Sequence, residues 1–201
     1  MMATSANSAR PAVSIVIGTL NRRWHLKRAI ASVRAELLFP KAEIIVVDGG
    51  SDDGTQRWLA EQKDVTTIVQ HNRGEWQGQP IPRQSWGHFM NLGFRAAKAP
   101  YICMLSDDCL VVPGAIRNGL ERFEREGEDL GALAFYWRNW PEQDGYWVGR
   151  TFGGSVFVNH GLFRREAMAS VGYADEEEFR FYHGDGDLVL RMEEAGWRCL
   201  D

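Results

Sequence analysis

Cysteine is scarce in this chain of 201 residues: Cys103, Cys109 and Cys199 are odd in number, widely spaced and free of any CxxC pair. That pattern excludes a disulfide framework and the usual zinc and thioredoxin-like motifs, and it points to a reducing, cytoplasmic setting. Long apolar runs are missing as well. No stretch approaches the roughly 20 apolar residues of a membrane-spanning helix, and the opening "MMATSANSARPA" lacks the apolar centre of a signal peptide. A membrane remains open to the chain only as a surface for peripheral association, at its inner face. A basic surface is the third absence. With 23 Lys and Arg against 27 Asp and Glu the formal net charge is -4, and no window of Lys and Arg is dense enough to grip a phosphate backbone, which argues against nucleic acid as a partner.

What remains is ordinary globular composition, 44% hydrophobic and 25% charged, long enough for one well-buried domain. "AVSIVIGTLN" is a continuous apolar run rich in Val and Ile, as expected of a strand buried on both faces. In "RRWHLKRAIASVRAELL", Leu26, Ile30, Val33 and Leu37 recur at helical spacing. A second strand, "EIIVVD", ends at Asp48, and "GGSDDGT" follows as a turn that offers Ser and Asp caps to a helix beginning near Gln56. "VTTIVQ" reads as a third strand, "SWGHFMNLGFRAAKA" as a helix, and "YICMLS" as a fourth strand that stops at Asp107 and Asp108. Strand and helix alternate, so the expected fold is α/β with a mainly parallel sheet flanked by helices. Beyond it come a helix over 115–126, a strand "LGALAFYW", an aromatic hairpin-like stretch, a strand "SVFVN", a helix "LFRREAMASV" and a last helix beginning at Leu188. No repeat or low-complexity linker divides residues 13–201, so they read as one domain after a flexible tail over 1–12.

Ligands of open parallel sheets bind beyond the carboxyl ends of the strands, and Thr19, Asp48, Asp107 and Asp108 all fall at such ends. Adjacent carboxylates there can hold Mg²⁺ or Mn²⁺, hard cations that complete their shells with water and substrate phosphates. A solvated turn explains the same two residues equally simply.

Five segments together carry a resemblance to a known family: "VSIVIGTLNR", "EIIVVDGGSDDGT", "NLGFRAAKAPYICMLSDD", "VNHGLFRREAMASVGYADEEEF" and "GDGDLVLRMEEAGW". In order and spacing they resemble the family-2 glycosyltransferases with the GT-A fold, a Rossmann-like sheet, over nearly all of Val13 to Trp197. The resemblance implies an inverting enzyme that moves a sugar from a nucleotide diphosphate donor to an acceptor hydroxyl, with Mn²⁺ or Mg²⁺. It implies a nucleotide-binding half over 13–112 and an acceptor and base half over 113–201. Residue by residue, it assigns Thr19 and Asp48 to the nucleotide, Asp107 to the ribose, Asp108 to the metal and Asp185 to the catalytic base. Asp187, two residues on, suits a helix cap. Gly18 stands where relatives often carry Pro, Ser106 where they often carry an acid, and Gly184 where they carry Glu. Arg83 is a further candidate for the diphosphate, since a guanidinium fork matches phosphate oxygens; a solvated loop arginine is the other reading. Trp140 and Trp147, in "FYWRNWPEQDGYWVGRTF", suit an acceptor platform, a core plug or a cover for another segment. The acceptor itself, whether a saccharide, a lipid-linked sugar or another hydroxyl compound, is not encoded in these motifs.

Two other functions remain open at this point. A nucleotidyltransferase would carry a glycine-rich, basic first loop for a triphosphate, whereas "GTLNRRW" has a single Gly. A non-catalytic sugar-nucleotide-binding domain would have no use for Asp185.

Overall fold

The computed structural model describes residues 11–36 and 42–201. Most of the expected tail, and Leu37 of the first helical stripe, lie outside the described residues. The elements run β1 (Val13–Thr19), α1 (Arg23–Glu36), β2 (Ala42–Asp48), α2 (Thr55–Ala60), β3 (Val65–Val69), a two-stranded pair β4 (Glu75–Trp76) and β5 (Gln79–Pro80), α3 (Trp86–Ala96) and β6 (Tyr101–Ser106). The second half follows with α4 (Ala115–Glu126), β7 (Leu130–Ala134), a second small pair β8 (Gly149–Arg150) and β9 (Val156–Phe157), β10 (Gly161–Arg164), α5 (Arg165–Ser170), α6 (Gly184–Glu194) and β11 (Arg198–Leu200).

Seven strands form one sheet in the order β11-β7-β10-β6-β1-β2-β3. Pairing is parallel except at β10, which runs antiparallel between β6 and β7. The fold is the expected single α/β domain. Successive residues of the central strand point to opposite faces: Ile15 and Ile17 pack with Leu26, Ile30 and Val33 of α1 and Phe123 of α4, while Val16 packs with Met90 and Phe94 of α3, Met168 of α5 and Leu188, Val189 and Met192 of α6. Both faces are covered, which is why these strands read as unbroken apolar runs.

The structure departs from expectation at two helices. "LFRREAMASV" is not one helix: Leu162 and Phe163 belong to β10 and are fully buried, and the chain passes from strand to α5 without the Gly or Pro that marks such a change. The last helix begins at Gly184, not at Leu188, so Asp187 does not cap it. The residue in the cap position is His183, in the left-handed region at φ 73° with no side-chain cap bond. Asp187 lies within the first turn and accepts from Arg191 Nε at 2.7 Å, while the same guanidinium donates to the carbonyl oxygens of Val171 and Tyr173.

Register fixes the rim. Thr19 lies opposite Asp48 across β1 and β2, and Gly18 opposite Ser106 across β1 and β6, so three strands end level with one another. The segment that leads to Asp185 is held against the other side of this rim by α3. Asn91 exchanges hydrogen bonds with the Ala174 backbone and donates to Glu176, whose carboxylate also meets His88 and Arg95. The contact is close: a Cβ at Gly87 would stand 1.9 Å from the Asp175 carbonyl oxygen. Gly87→Ala must therefore move backbone, and overpacking of this kind costs roughly 3 kcal/mol at the upper end of its usual range. Urea unfolding should show the loss, and an unchanged midpoint would mean that the 174–176 segment is not seated on α3.

Candidate active site

A cleft of about 680 Å³ opens at this rim, lined among others by Thr19, Arg22, Asp107, Asp108, His160, Phe181, Tyr182 and Asp185. Its size suits a small organic ligand. The first and second loops that form one wall are tied to each other through backbone groups. The Asn21 N–H donates to Ser51 Oγ at 2.8 Å, the Asp52 N–H to Asn21 Oδ1 at 2.8 Å, and the Arg23 N–H to Asp53 Oδ2 at 2.9 Å. Asp53 also accepts from the N–H and hydroxyl of Thr55, so one carboxylate serves the starts of both α1 and α2.

Asp107 is 4% exposed, and its Oδ2 accepts from Thr19 Oγ1 at 2.7 Å. Burial pushes its carboxyl above the ordinary value; the Thr19 hydroxyl and the Arg22 charge oppose the rise, and Asp108 adds to it. Asp108 is exposed at the mouth. Arg22 spans the two acids, Nη1 at 3.1 Å from Asp107 Oδ1 and Nη2 at 2.8 Å from Asp108 Oδ2. Partial burial would lower its pKa, but the hydrogen bond to Asp108 and the charges of both acids hold it above its ordinary value.

Asp48 is fully buried and does a turn-building job: its Oδ1 accepts from the N–H groups of Gly50 and Ser51 and from Gln56 Nε2. Its Oδ2 has no partner and is shut off from solvent; Asp48 itself does not line the cleft, although the next residue, Gly49, does. His160, which also lines the cleft, has its Nε2 3.0 Å from both Ser106 Oγ and Cys109 Sγ. Burial pushes the thiol up to about 12 and the imidazole down, so this pair is neutral and not a nucleophilic thiolate. Ser106, where relatives often carry an acid, is thus occupied in holding the floor of the site.

Asp185 stands in the first turn of α6. Burial raises its carboxyl pKa against the pull of its hydrogen bond from Gly186 N–H and the nearby His183. A side chain at Gly184 would begin 3.0 Å from the Trp86 ring; the space that a larger residue needs is filled by α3.

Thr19, Asp107, Asp108 and Asp185 thus share one cavity. Arg83 does not reach it: its guanidinium donates to the Arg73 carbonyl oxygen on the β4–β5 side. Trp140 and Trp147 do not line it either. Trp147 stacks on Trp137, with ring centroids 4.0 Å apart, and Trp137 borders His160 at 6.3 Å, so this aromatic group backs the wall at one remove. Sequence reasoning missed Arg22, although its position three residues after the first rim strand was a usable signal. It also missed Phe181 and Tyr182, which are 67% and 74% exposed and border the cleft just before the acid.

The residues fit a divalent cation of a particular kind. Among the described residues no group of three or more His, Cys, Asp and Glu forms a protein cage. The buried Asp107 and the exposed Asp108 instead offer carboxylate oxygens of the kind that a hard cation takes when water and phosphate complete its shell. Among the described residues no helix is long and apolar enough to cross a membrane.

A family model described as Glycosyl transferase family 2 matches residues 14–179. An uncharacterized glycosyltransferase of Nostoc sp. is 31% identical over 114 residues, 56% of this chain and 33% of the relative. Among solved structures, the mannosyltransferase PcManGT from Pyrobaculum calidifontis, in complex with GDP-Man and Mn²⁺, superposes at a TM-score of 0.68 with 18% identity, covering 96% of this chain and 55% of its own. TarS 1-349 of S. aureus gives 0.70 with 13% identity over 90% of this chain and 54% of its own; its complex with UDP-GlcNAc gives 0.66 at 13%, covering 89% and 53%. At these identities the superpositions show a common fold, and the chain spans about half the length of those structures.

Proposed function

The chain belongs to glycosyl transferase family 2, and from that premise we propose that it transfers a sugar, with inversion, from a nucleotide diphosphate donor to an acceptor hydroxyl. The observation that supports this most is the shared cleft: acids from the end of β6 and from the start of α6, far apart in sequence, line one cavity. In this reading residues 13–112 receive the nucleotide and residues 113–201 the acceptor. Asp107, buried and oriented by Thr19, takes the ribose; Asp48, which builds the turn that carries cleft-lining Gly49, takes the base once its enclosed oxygen is uncovered. Asp108, with Asp107 beside it, would hold Mn²⁺ or Mg²⁺, which supplies positive charge to a departing diphosphate.

Asp185 is the base. It takes the acceptor hydroxyl proton as that oxygen bonds to the anomeric carbon, on the face opposite the bond to the donor phosphate oxygen, which breaks with the electron pair leaving on the nucleoside diphosphate. Its raised pKa makes it a stronger base than a free aspartate. Phe181 and Tyr182, stacked edge to face at 4.9 Å, present apolar ring surface beside it to the acceptor.

Thermal shift with UDP-, GDP- and dTDP-sugars, each with and without Mn²⁺, tests the donor half. At least one should raise the melting temperature, more with Mn²⁺ than without; no response to any of them contradicts the reading. On the acceptor side, Tyr182→Ala should raise the acceptor KM several-fold at unchanged donor affinity, and an unaltered KM removes Tyr182 from that surface.

A further inference from the structure

We infer that Arg22 is the resident counter-ion of the Asp107–Asp108 pair, a side chain that an incoming divalent cation must displace, so that cation and nucleotide are taken up together. The inference rests on the donor reading above and adds a residue to it.

Arg22 bridges both carboxylates through separate nitrogens, at 3.1 Å and 2.8 Å. Its backbone cannot follow a moving side chain: the N–H groups of Asn21 and Arg23 on either side are committed to Ser51 and Asp53. The side chain itself is 44% exposed, with solvent on its open side. Among the described residues it is also the one Arg or Lys that lines the cleft. His25 and Cys109 lie near enough to feel these charges but make no hydrogen bond to the guanidinium.

The consequence follows from charge. Two adjacent carboxylates attract a free cation strongly, but with the guanidinium across them the trio carries a net charge of about -1 and both facing oxygens are spent. A cation arriving alone must strip the guanidinium of two charge-assisted partners and leave it without replacements. When a diphosphate arrives in the same cleft, its oxygens offer the fork new partners of the same kind. Cation and nucleotide each make room for the other through this one side chain, which is a coupling free energy between their sites.

The test is direct binding. Mn²⁺ uptake is followed by loss of the free-ion electron paramagnetic resonance signal, and GDP and UDP binding by calorimetry, for the wild type, Arg22→Met and Arg22→Lys. Met keeps the aliphatic length and removes the charge. Arg22→Met should bind Mn²⁺ alone roughly three- to tenfold more tightly, as expected for removing a half-exposed competitor held by one ion pair to a buried acid and one to an exposed acid, and should bind GDP or UDP more weakly. Arg22→Lys, one donor in place of a fork, should fall between and carries the comparison by itself if the Met variant does not fold. Opposite signs for cation and nucleotide are the signature, because general damage to the site would weaken both. Equal or weaker Mn²⁺ binding in Arg22→Met, with nucleotide-dependent Mn²⁺ uptake intact in the wild type, overturns the inference and leaves the donor reading standing. No Mn²⁺ uptake by the wild type with either nucleotide present overturns both.

Discussion

Replacing Asp185 with Asn is expected to lower sugar transfer by on the order of 10²- to 10⁴-fold, the range for loss of a general base, while nucleotide binding survives. The amide keeps the size of the side chain and an oxygen that can accept from Gly186 N–H, but it cannot take a proton near neutral pH. The same variant should be more stable than the wild type at neutral pH. The folded-state pKa of Asp185 lies above its unfolded value because burial disfavours the charged form. Ionisation therefore opposes folding: the penalty is absent below the ordinary aspartate range, grows as pH rises towards the folded pKa and is full above it. Denaturation of wild type and variant should coincide at low pH and separate, in favour of Asn, towards pH 7. The acid limb of the transfer rate should likewise fall at a pH above the ordinary aspartate value. Asp187→Asn is the control two residues away. It weakens the bond to Arg191, a half-buried ion pair worth about 1 kcal/mol, and so should reduce stability and spare transfer.

The second large effect is on donor binding. Asp108→Ala, or thorough chelation, should weaken nucleotide-sugar affinity by about 100-fold or more, since changes even to outer partners of a bound metal cost about 10- to 100-fold. Asp107→Ala should differ in kind. It removes the partner of Thr19 Oγ1 and a buried acid, so nucleoside binding should fall while some cation-supported diphosphate binding persists. Calorimetry with free GDP or UDP, with and without Mn²⁺, separates the two variants; unchanged affinity in Asp108→Ala after EDTA treatment would remove the cation from this account.

The central sheet was legible because β1, β2 and β6 are covered on both faces and so appear as unbroken runs of Val, Ile and Leu. The rim was legible for a related reason: charge at the end of such a run has to surface, which marked Asp48, Asp107 and Asp108. β10 was not, because its three buried residues run on into the apolar face of α5 and no turn residue separates them. The start of α6 was missed because its cap position is His183 in the left-handed region, a residue type that carries no cap signal. Arg22 and Arg83 illustrate the limit best. Each is an arginine in a loop near the rim, and only the tertiary ties between the first two loops bring Arg22 to the acids while Arg83 folds back on Arg73. The three departures at Gly18, Ser106 and Gly184 also make sense only in three dimensions. Cβ atoms at Gly18 and Gly184 would meet Met90 and Trp86, and the Ser106 hydroxyl faces His160.

The most direct measurement follows the phosphorus products when the chain is incubated with Mn²⁺, an acceptor and whichever nucleotide sugar stabilises it. The account predicts that nucleoside diphosphate accumulates in step with glycosylated acceptor in the wild type, and that Asp185→Asn, with the donor still bound, forms it at least about 100-fold more slowly. Release of pyrophosphate, or turnover by Asp185→Asn at the wild-type rate, would contradict it.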